Sequence, residues 1–241
     1  MDPVQIAAGE RVVFFTGAGM SAESGVPTYR GRGGIWGQYR WEEFACQRAF
    51  DRDPQKVLDF HEQRRAKVLA CEPHAGHVHL ARLQRAMPSV AIVTQNTDGL
   101  HLRAGAREVV ELHGSLWRLR CPAHGKLDDL GAGPFARRDC AQCGAVLRPD
   151  IVWFEDSLEA AVFERAEALI RECDLFVAVG TSAVVYPAAG LIHVARQAGA
   201  RMIELNVDDS AMSELFEERW RGTAGDLIPK QFPLPERAVA S

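Results

Sequence analysis

An apolar run, Val12-Val13-Phe14-Phe15, passes directly into Thr16-Gly17-Ala18-Gly19-Met20-Ser21-Ala22-Glu23-Ser24-Gly25-Val26-Pro27-Thr28-Tyr29-Arg30. Consecutive apolar residues stopped by glycines read as a buried strand that ends in a tight turn. Small residues at Gly17, Ala18 and Gly19 let backbone N–H groups approach a phosphate, and a helix starting there would add positive potential. Gly17, Gly19 and Ala22 match the spacing of a dinucleotide-binding turn. A dehydrogenase would follow with a second strand ending in Asp or Glu about 20 residues later, to hold the adenosine ribose. This chain continues instead into Ser24-Gly25-Val26-Pro27 and a loop carrying Gly31, Gly33 and Gly34. The turn points to a bound dinucleotide whose chemistry is not hydride transfer.

Further apolar runs predict strands at 90–94, 109–112, 175–179 and 202–205, and helical patterns predict helices at 75–85, 158–172, 188–198 and 210–218. That alternation predicts an α/β fold, a Rossmann-like doubly wound parallel sheet. Two excursions interrupt it. The first, 31–74, holds an amphipathic helix at 54–69. The second, 117–148, holds short segments and a cysteine cluster. The expected division is 1–30, 75–116 and 149–228 as a dinucleotide-binding domain, 31–74 and 117–148 as one smaller domain, and a proline-bearing irregular tail from 229 to 241.

The excursions have a metal-binding pattern. Cys121-Pro122-Ala123-His124 and Cys140-Ala141-Gln142-Cys143 form C-x2-H and C-x2-C knuckles. Two such knuckles complete a tetrahedron that suits zinc, and four protein ligands leave no open position, so the metal would be structural. By spacing alone His124 could equally be a loop histidine. Cys46, Cys71 and Cys173 have no neighbours of this kind and read as small buried thiols. A metal cluster among six cysteines suggests a reducing compartment. With no apolar run of membrane length and no secretory leader, the expected location is cytoplasmic. A formal charge of −4 argues against non-specific nucleic-acid binding. Monomer is the default expectation.

Several segments, in order, carry a family resemblance: the glycine turn, Thr94-Gln95-Asn96-Thr97-Asp98, Leu112-His113-Gly114, Arg148-Pro149-Asp150-Ile151-Val152-Trp153-Phe154, Gly180-Thr181-Ser182, Leu205-Asn206-Val207-Asp208 and Gly222-Thr223-Ala224-Gly225-Asp226. Together they span nearly the whole chain and resemble the sirtuins, the NAD-dependent protein lysine deacylases. The resemblance implies NAD as a consumed co-substrate, structural zinc, and acyl-lysine proteins or peptides as partners. It implies that the acyl oxygen attacks the nicotinamide ribose as nicotinamide leaves. The products would be free lysine, nicotinamide and O-acyl-ADP-ribose.

His113, at a strand end, is the general base that this resemblance implies, taking a proton from the ribose hydroxyls; a histidine there can titrate near neutral pH. Asn96 and Asp98 would position the nicotinamide amide and its ribose, with Gln95 beside His113. By itself the Gln-Asn-x-Asp turn could instead cap the next helix. Thr97 departs from the apolar residue usual in the family. Gly17, Ala18, Gly19, Tyr29, Arg30, Gly180, Thr181, Ser182, Asn206, Asp208 and Ala224 complete the expected cofactor site, and Asp208 alternatively caps a following helix.

Ile151 to Phe154 resembles the segment that pairs with substrate backbone as an added strand, so Val152, Trp153 and Phe154 are expected to bind peptide. Read as residues only, the same run is a core strand. Asp150 and Glu155 replace a histidine and a glycine usual in the family. They would add negative charge and favour basic peptides. Thr28 and Ala45 resemble the class III members, which take acidic acyl groups. Those members carry Tyr-x-x-Arg where this chain has His61-Glu62-Gln63-Arg64, so His61 and Arg64 are expected to converge on an acyl carboxylate. Without that role the face would be solvated and basic, with Arg65 and Lys67. His74, His77 and His79 do not share a face suited to a metal. The expected reaction is removal of acetyl, and of succinyl, malonyl or lactyl, from lysine. The alternatives are protein mono-ADP-ribosyl transfer and a non-catalytic NAD-sensing module.

Overall fold

The computed structural model describes residues 2–29 and 33–235. In chain order come β1 (Val12–Thr16), a 3-10 segment (Ala18–Ser24), α1 (Ile35–Gln38), α2 (Trp41–Phe44), α3 (Gln47–Arg52), α4 (Pro54–Leu69), α5 (Ala75–Ala86), β2 (Val90–Thr94), α6 (Leu100–Arg103) and β3 (Val109–Glu111). There follow β4 (Gly114–Cys121), β5 (Gly125–Asp128), β6 (Arg148–Ile151), α7 (Ala160–Arg171), β7 (Leu175–Val179), α8 (Gly190–Gln197), β8 (Arg201–Asn206), β9 (Glu218–Arg221) and α9 (Ala224–Gln231).

Six strands form one sheet in the order β3-β2-β1-β7-β8-β9, and every adjacent pair is parallel. Val12 and Phe14 of β1 face a layer that holds Leu80 and Leu83 of α5 with Leu227 and Ile228 of α9. Val13 and Phe15 face the opposite layer, with Ala166 and Ile170 of α7 and Leu191 and Ile192 of α8. Helices on both faces explain why β1 and β7 are unbroken apolar runs rather than alternating ones. This is the doubly wound sheet that the alternating runs predict. The winding reverses between β1 and β7, and a crevice opens at the carboxyl ends of those two strands, where open α/β sheets bind ligands.

The two insertions share a third apolar cluster. Val57, Leu58 and Val68 of α4 meet Leu119 and Leu147 from the second insertion, beneath an antiparallel sheet β5-β4-β6. Helix α4 starts where its sequence dictates. Asp53 accepts from Lys56 N–H at 3.0 Å, and Pro54 stands at the first helical position, where its missing N–H costs nothing. Arg65, which the alternative reading placed on a solvated face, is fully buried. It donates to the carbonyls of Leu116, Asp129, Gly131 and Gly133 and to the Asp129 carboxylate. Its guanidinium lies 4.8 Å from the ring centres of both Trp117 and Phe135.

Two expectations are corrected. Residues 210–218 do not form a helix: a single 3-10 turn, Ser213–Leu215, precedes the edge strand β9. The cause is tertiary, because the buried Glu204 carboxylate accepts from the Ser210 and Ser213 hydroxyls and holds the segment as a turn. The irregular tail does not begin at Pro229, since α9 runs through it to Gln231. Ile228 and Phe232 are fully buried on either side of the proline, and that burial carries the helix on. Residues 236–241 lie outside the described residues.

Candidate functional site

Gly17 follows β1 and Gly180 follows β7, so the two turns meet at the crevice. A Cβ on Gly17 would sit 2.8 Å from the Gly180 oxygen, and one on Gly180 would sit 2.3 Å from Met20 N. Gly180 also has φ +58, a left-handed conformation that favours glycine. Gly17 N–H donates to Val179 O at 2.9 Å and Gly19 N–H to Gly180 O at 2.8 Å. The glycines therefore serve backbone-on-backbone packing between two loops, and these two N–H groups are already committed within the protein. The segment after them, starting at Ala18, is a 3-10 turn rather than an α-helix.

The end of β2 projects Gln95, Asn96, Thr97 and Asp98 into the same crevice. Gln95 donates to Thr181 Oγ1 at 3.0 Å, joining the β2 and β7 ends. Asn96 is 4% exposed and donates from Nδ2 to Gly17 O and to Ser21 Oγ, at 3.0 and 3.2 Å. Asp98 accepts from Leu100 N–H at 2.8 Å, so the capping alternative describes part of its work. Burial pushes the Asp98 carboxyl above its ordinary range. Trp117 donates to the Asp98 carbonyl at 2.7 Å and holds the loop from below.

His113 lies just past β3, half-buried, with Nδ1 2.9 Å from Gln95 O. A carbonyl only accepts, so Nδ1 carries the proton and Nε2 keeps its lone pair. Burial moves the imidazole below its usual value, with the Gln95 bond opposing. The His113 carbonyl accepts from Val152 N–H at 3.0 Å, tying this residue to the segment after β6.

On the far side of the crevice, Thr181 is buried and Ser182 exposed. Asn206 donates to Thr181 O at 3.0 Å. Asp208 is exposed, and the helix it was expected to cap is absent. Ala224 is buried at the start of α9 against the first turn of α5. Tyr29 stands half-buried at the edge of the described loop, and Arg30 lies outside the described residues.

The peptide-side residues divide. Ala45 is buried, and its carbonyl accepts from Phe154 N–H at 2.9 Å. Val152 and Phe154 are half-buried at the rim. The Trp153 side chain packs inward. It is 3% exposed, under the Arg148 guanidinium at 3.7 Å and beside Phe50. His61 is buried as well. It is 1% exposed, its Nε2 accepts from the Trp153 indole at 3.1 Å, and burial drops its pKa to about 3. Arg64 on the same helix donates to Tyr29 Oη at 2.8 Å, so the two side chains take different hydrogen-bond partners, while the nearby Arg64 charge adds to burial in lowering the His61 pKa. The two acids beside this segment are both paired. Asp150 is buried against Arg118, and Glu155 is paired with Arg48 at 2.6 Å.

The sequence reading missed Ser21, His77 and His101 as site neighbours. Ser21 Oγ lies 3.4 Å from His77 Nε2 while also accepting from Asn96. His101 Nε2 lies 3.0 Å from Thr16 Oγ1, which donates to Thr94. Ser21 lay inside the glycine motif and was legible. The histidines come from other elements and meet only in space. His79 turns away to Phe232 O.

The ligand atoms of Cys121, His124, Cys140 and Cys143 all lie within 4.8 Å of one another. Cys121 Sγ is 3.5 Å from His124 Nδ1 and 3.6 Å from Cys143 Sγ, and Cys140 Sγ is 3.4 Å from His124 Nδ1. A zinc tetrahedron places such atoms roughly 3.5–3.8 Å apart, so Cys3His fits, with His124 using Nδ1. The backbone N–H groups of Gln142 and Cys143 hold the Cys140 thiol down to about 6, which favours the thiolate a metal requires.

Known proteins agree with this geometry. Residues 17–187 match the model of the Sir2 family. An NAD-dependent protein deacylase of Thermococcus kodakarensis is 42% identical over 233 residues, covering 93% of this chain and 91% of the relative. One of Ralstonia nicotianae is 43% identical over 229 residues, covering 93% and 92%. A Sir2 homologue mutant in complex with ADP-ribose superposes with TM-score 0.89 at 38% identity, covering 98% of this chain and 95% of that one. A Sir2 homologue with NAD gives 0.83 at 40%, covering 90% and 86%. With glycine turns at the reversal of the sheet and a four-ligand metal cluster in the insertions, the chain belongs to the Sir2 family.

Proposed function

We propose that this chain removes acyl groups from protein lysine side chains and consumes NAD in doing so. Acetyl is one substrate group, and short acidic or hydroxylated groups, succinyl, malonyl and lactyl, are others. The observation that carries the reading is His113, fixed by Gln95 O as the tautomer with a free Nε2 at the mouth of the crevice. Relatives that carry the deacylase name and a solved Sir2 bound to a p53 peptide and NAD, at 27% identity and TM-score 0.77 over 90% of each chain, support lysine in proteins as the target.

Bound NAD supplies a ribose carbon that the acyl oxygen attacks as nicotinamide leaves. The protein's part is binding, orientation and one proton transfer. Gly17, Ala18, Gly19, Gly180, Thr181, Ser182, Asn206, Asp208 and Ala224 line the dinucleotide side, and Tyr29 closes it. Asn96 and Asp98 hold the nicotinamide end, with Asn96 set by Gly17 and Ser21. Nε2 of His113 takes the ribose hydroxyl proton, and Gln95 orients the ring through its carbonyl. Ala45, Val152 and Phe154 border the acyl-lysine, and Arg64 faces an acyl carboxylate. Zinc held by Cys121, His124, Cys140 and Cys143 supplies rigidity and no chemistry.

Mass spectrometry of the protein with NAD and one lysine peptide in acetyl, lactyl and succinyl forms tests this. The expected products are nicotinamide, free-lysine peptide and the matching O-acyl-ADP-ribose. ADP-ribose mass on the peptide or the protein, without deacylation, would identify a transferase instead. Untouched NAD with zinc-replete protein would leave the NAD-sensing module.

A further inference from the structure

Arg64 is a half-buried guanidinium that pairs with no carboxylate among the described residues. It instead donates to Tyr29 Oη at 2.8 Å and lies 4.8 Å over the Tyr29 ring. The phenol oxygen is also 3.3 Å from Thr97 Oγ1, and Thr97 is only 3% exposed, between Asn96 and Asp98. A cavity of about 50 Å³ adjoins Arg64, lined by Val26, Pro27, Ile35 and Phe60 with Gln63 and Lys67. A half-buried cation with no carboxylate partner beside a small, mostly apolar cavity suits an anion, because a charge-assisted hydrogen bond formed there is stronger than a neutral one.

The helical partner expected for this task, His61, has its Nε2 held by the Trp153 indole, and its buried Nδ1 makes no side-chain hydrogen bond to Arg64 or Tyr29. We propose that Tyr29, reaching in from the cofactor-side loop, takes that place. Tyr29 and Arg64 together then receive the carboxylate of an acidic acyl group, with Thr97 as the resting partner of the phenol hydroxyl. Stacking fixes the plane of the guanidinium fork. On binding, the phenol proton turns to the incoming carboxylate while its oxygen still accepts from Arg64, and the contact with Thr97 is given up. Acyl recognition is then coupled to the loop beside the cofactor, and Thr97 competes with the substrate for Tyr29. The inference rests on acidic acyl groups being substrates.

The test is the ratio of kcat/KM for succinyl over acetyl forms of one peptide at saturating NAD, so that any change in cofactor affinity cancels. Tyr29→Phe lowers the ratio about tenfold, the size expected for one hydrogen bond to a charged group. Arg64→Leu lowers it at least as far. The double variant falls no further than Arg64→Leu alone, since the phenol acts on the substrate beside that cation. Thr97→Val raises the ratio, an opposite sign that a purely structural role would not produce. Should wild type remove no succinyl, the acidic-acyl reading fails and this inference with it. If Arg64→Leu lowers the ratio but Tyr29→Phe leaves it within twofold, the reading stands and the role of Tyr29 is overturned. A fall in the ratio for Thr97→Val overturns the competition.

Discussion

His113 shows how one contact sets both orientation and acidity. The Gln95 carbonyl selects the tautomer, and burial lowers the pKa. The neutral imidazole therefore survives to more acid pH than a free histidine, and under the proposed mechanism activity is lost only as pH falls through the lowered value. A profile of kcat/KM against pH should place its acid limb below about 6.5, and a midpoint at or above that value would contradict the burial argument. Replacing His113 with Ala should cut kcat by about 10²–10⁴. Glu155 shows the reverse case, a residue against its backbone. Its φ of +72 is left-handed and strained for a side chain, while its exposed pair with Arg48 contributes little. Glu155→Gly and Glu155→Ala both lose the pair, but only glycine relieves the backbone. In urea melts the glycine variant should be the more stable by about 1 kcal/mol; equal stabilities would remove the strain argument.

Helix α4 acts on two places through neighbouring residues. Arg64 turns to the crevice, and Arg65 anchors the helix to the loop after β5 and to Trp117, whose indole holds the Asp98 carbonyl. Truncating Arg65 to Met would leave Asp129 buried without its cation, at a cost of about 3–5 kcal/mol. Denaturant unfolding of Arg65→Met measures this, and a loss below about 1 kcal/mol would show the network to be dispensable. The metal knuckles are the other element-scale joint. Metal analysis should find one zinc per chain. Cys140→Ser should lose most of it, and a chelator should melt the β5-β4-β6 region before the large sheet, seen as early hydrogen exchange there. Exchange that stays uniform across both sheets would argue that the insertions stand without metal. Local rules sufficed for α4, where Asp53 and Pro54 mark the start. They failed at 210–218, where Glu204 from another strand decides the conformation.

Across the whole molecule, three histidines are buried neutral. Burial drops His61 to about 3, His77 to about 2 and His101 to about 3. All three folded values lie below the unfolded value near 6.5, so the unfolded chain takes up protons first as pH falls. Stability should decline from about pH 6.5 downward, by up to about 1.4 kcal/mol per pH unit for each histidine, until the folded values are reached. Unfolding free energies that stay flat between pH 6.5 and 4.5 would refute this. The unbroken runs 90–94 and 175–179 specify strands, because strands covered on both faces need continuous apolar residues. The sheet could therefore be read from the chain, as could the placement of Asn96, Asp98 and His113 at strand ends and the two metal knuckles, whose ligands are close in sequence. The direction of each side chain could not. His61 and Arg64 are three residues apart, yet one is held by Trp153 and the other by Tyr29, which arrive from distant segments. The sequence by itself determined the periodicities, turns and ligand spacings, which are local. Only the tertiary structure decided which polar groups are spent on the protein's own partners and which are left for a ligand, because that depends on contacts between residues far apart in the chain.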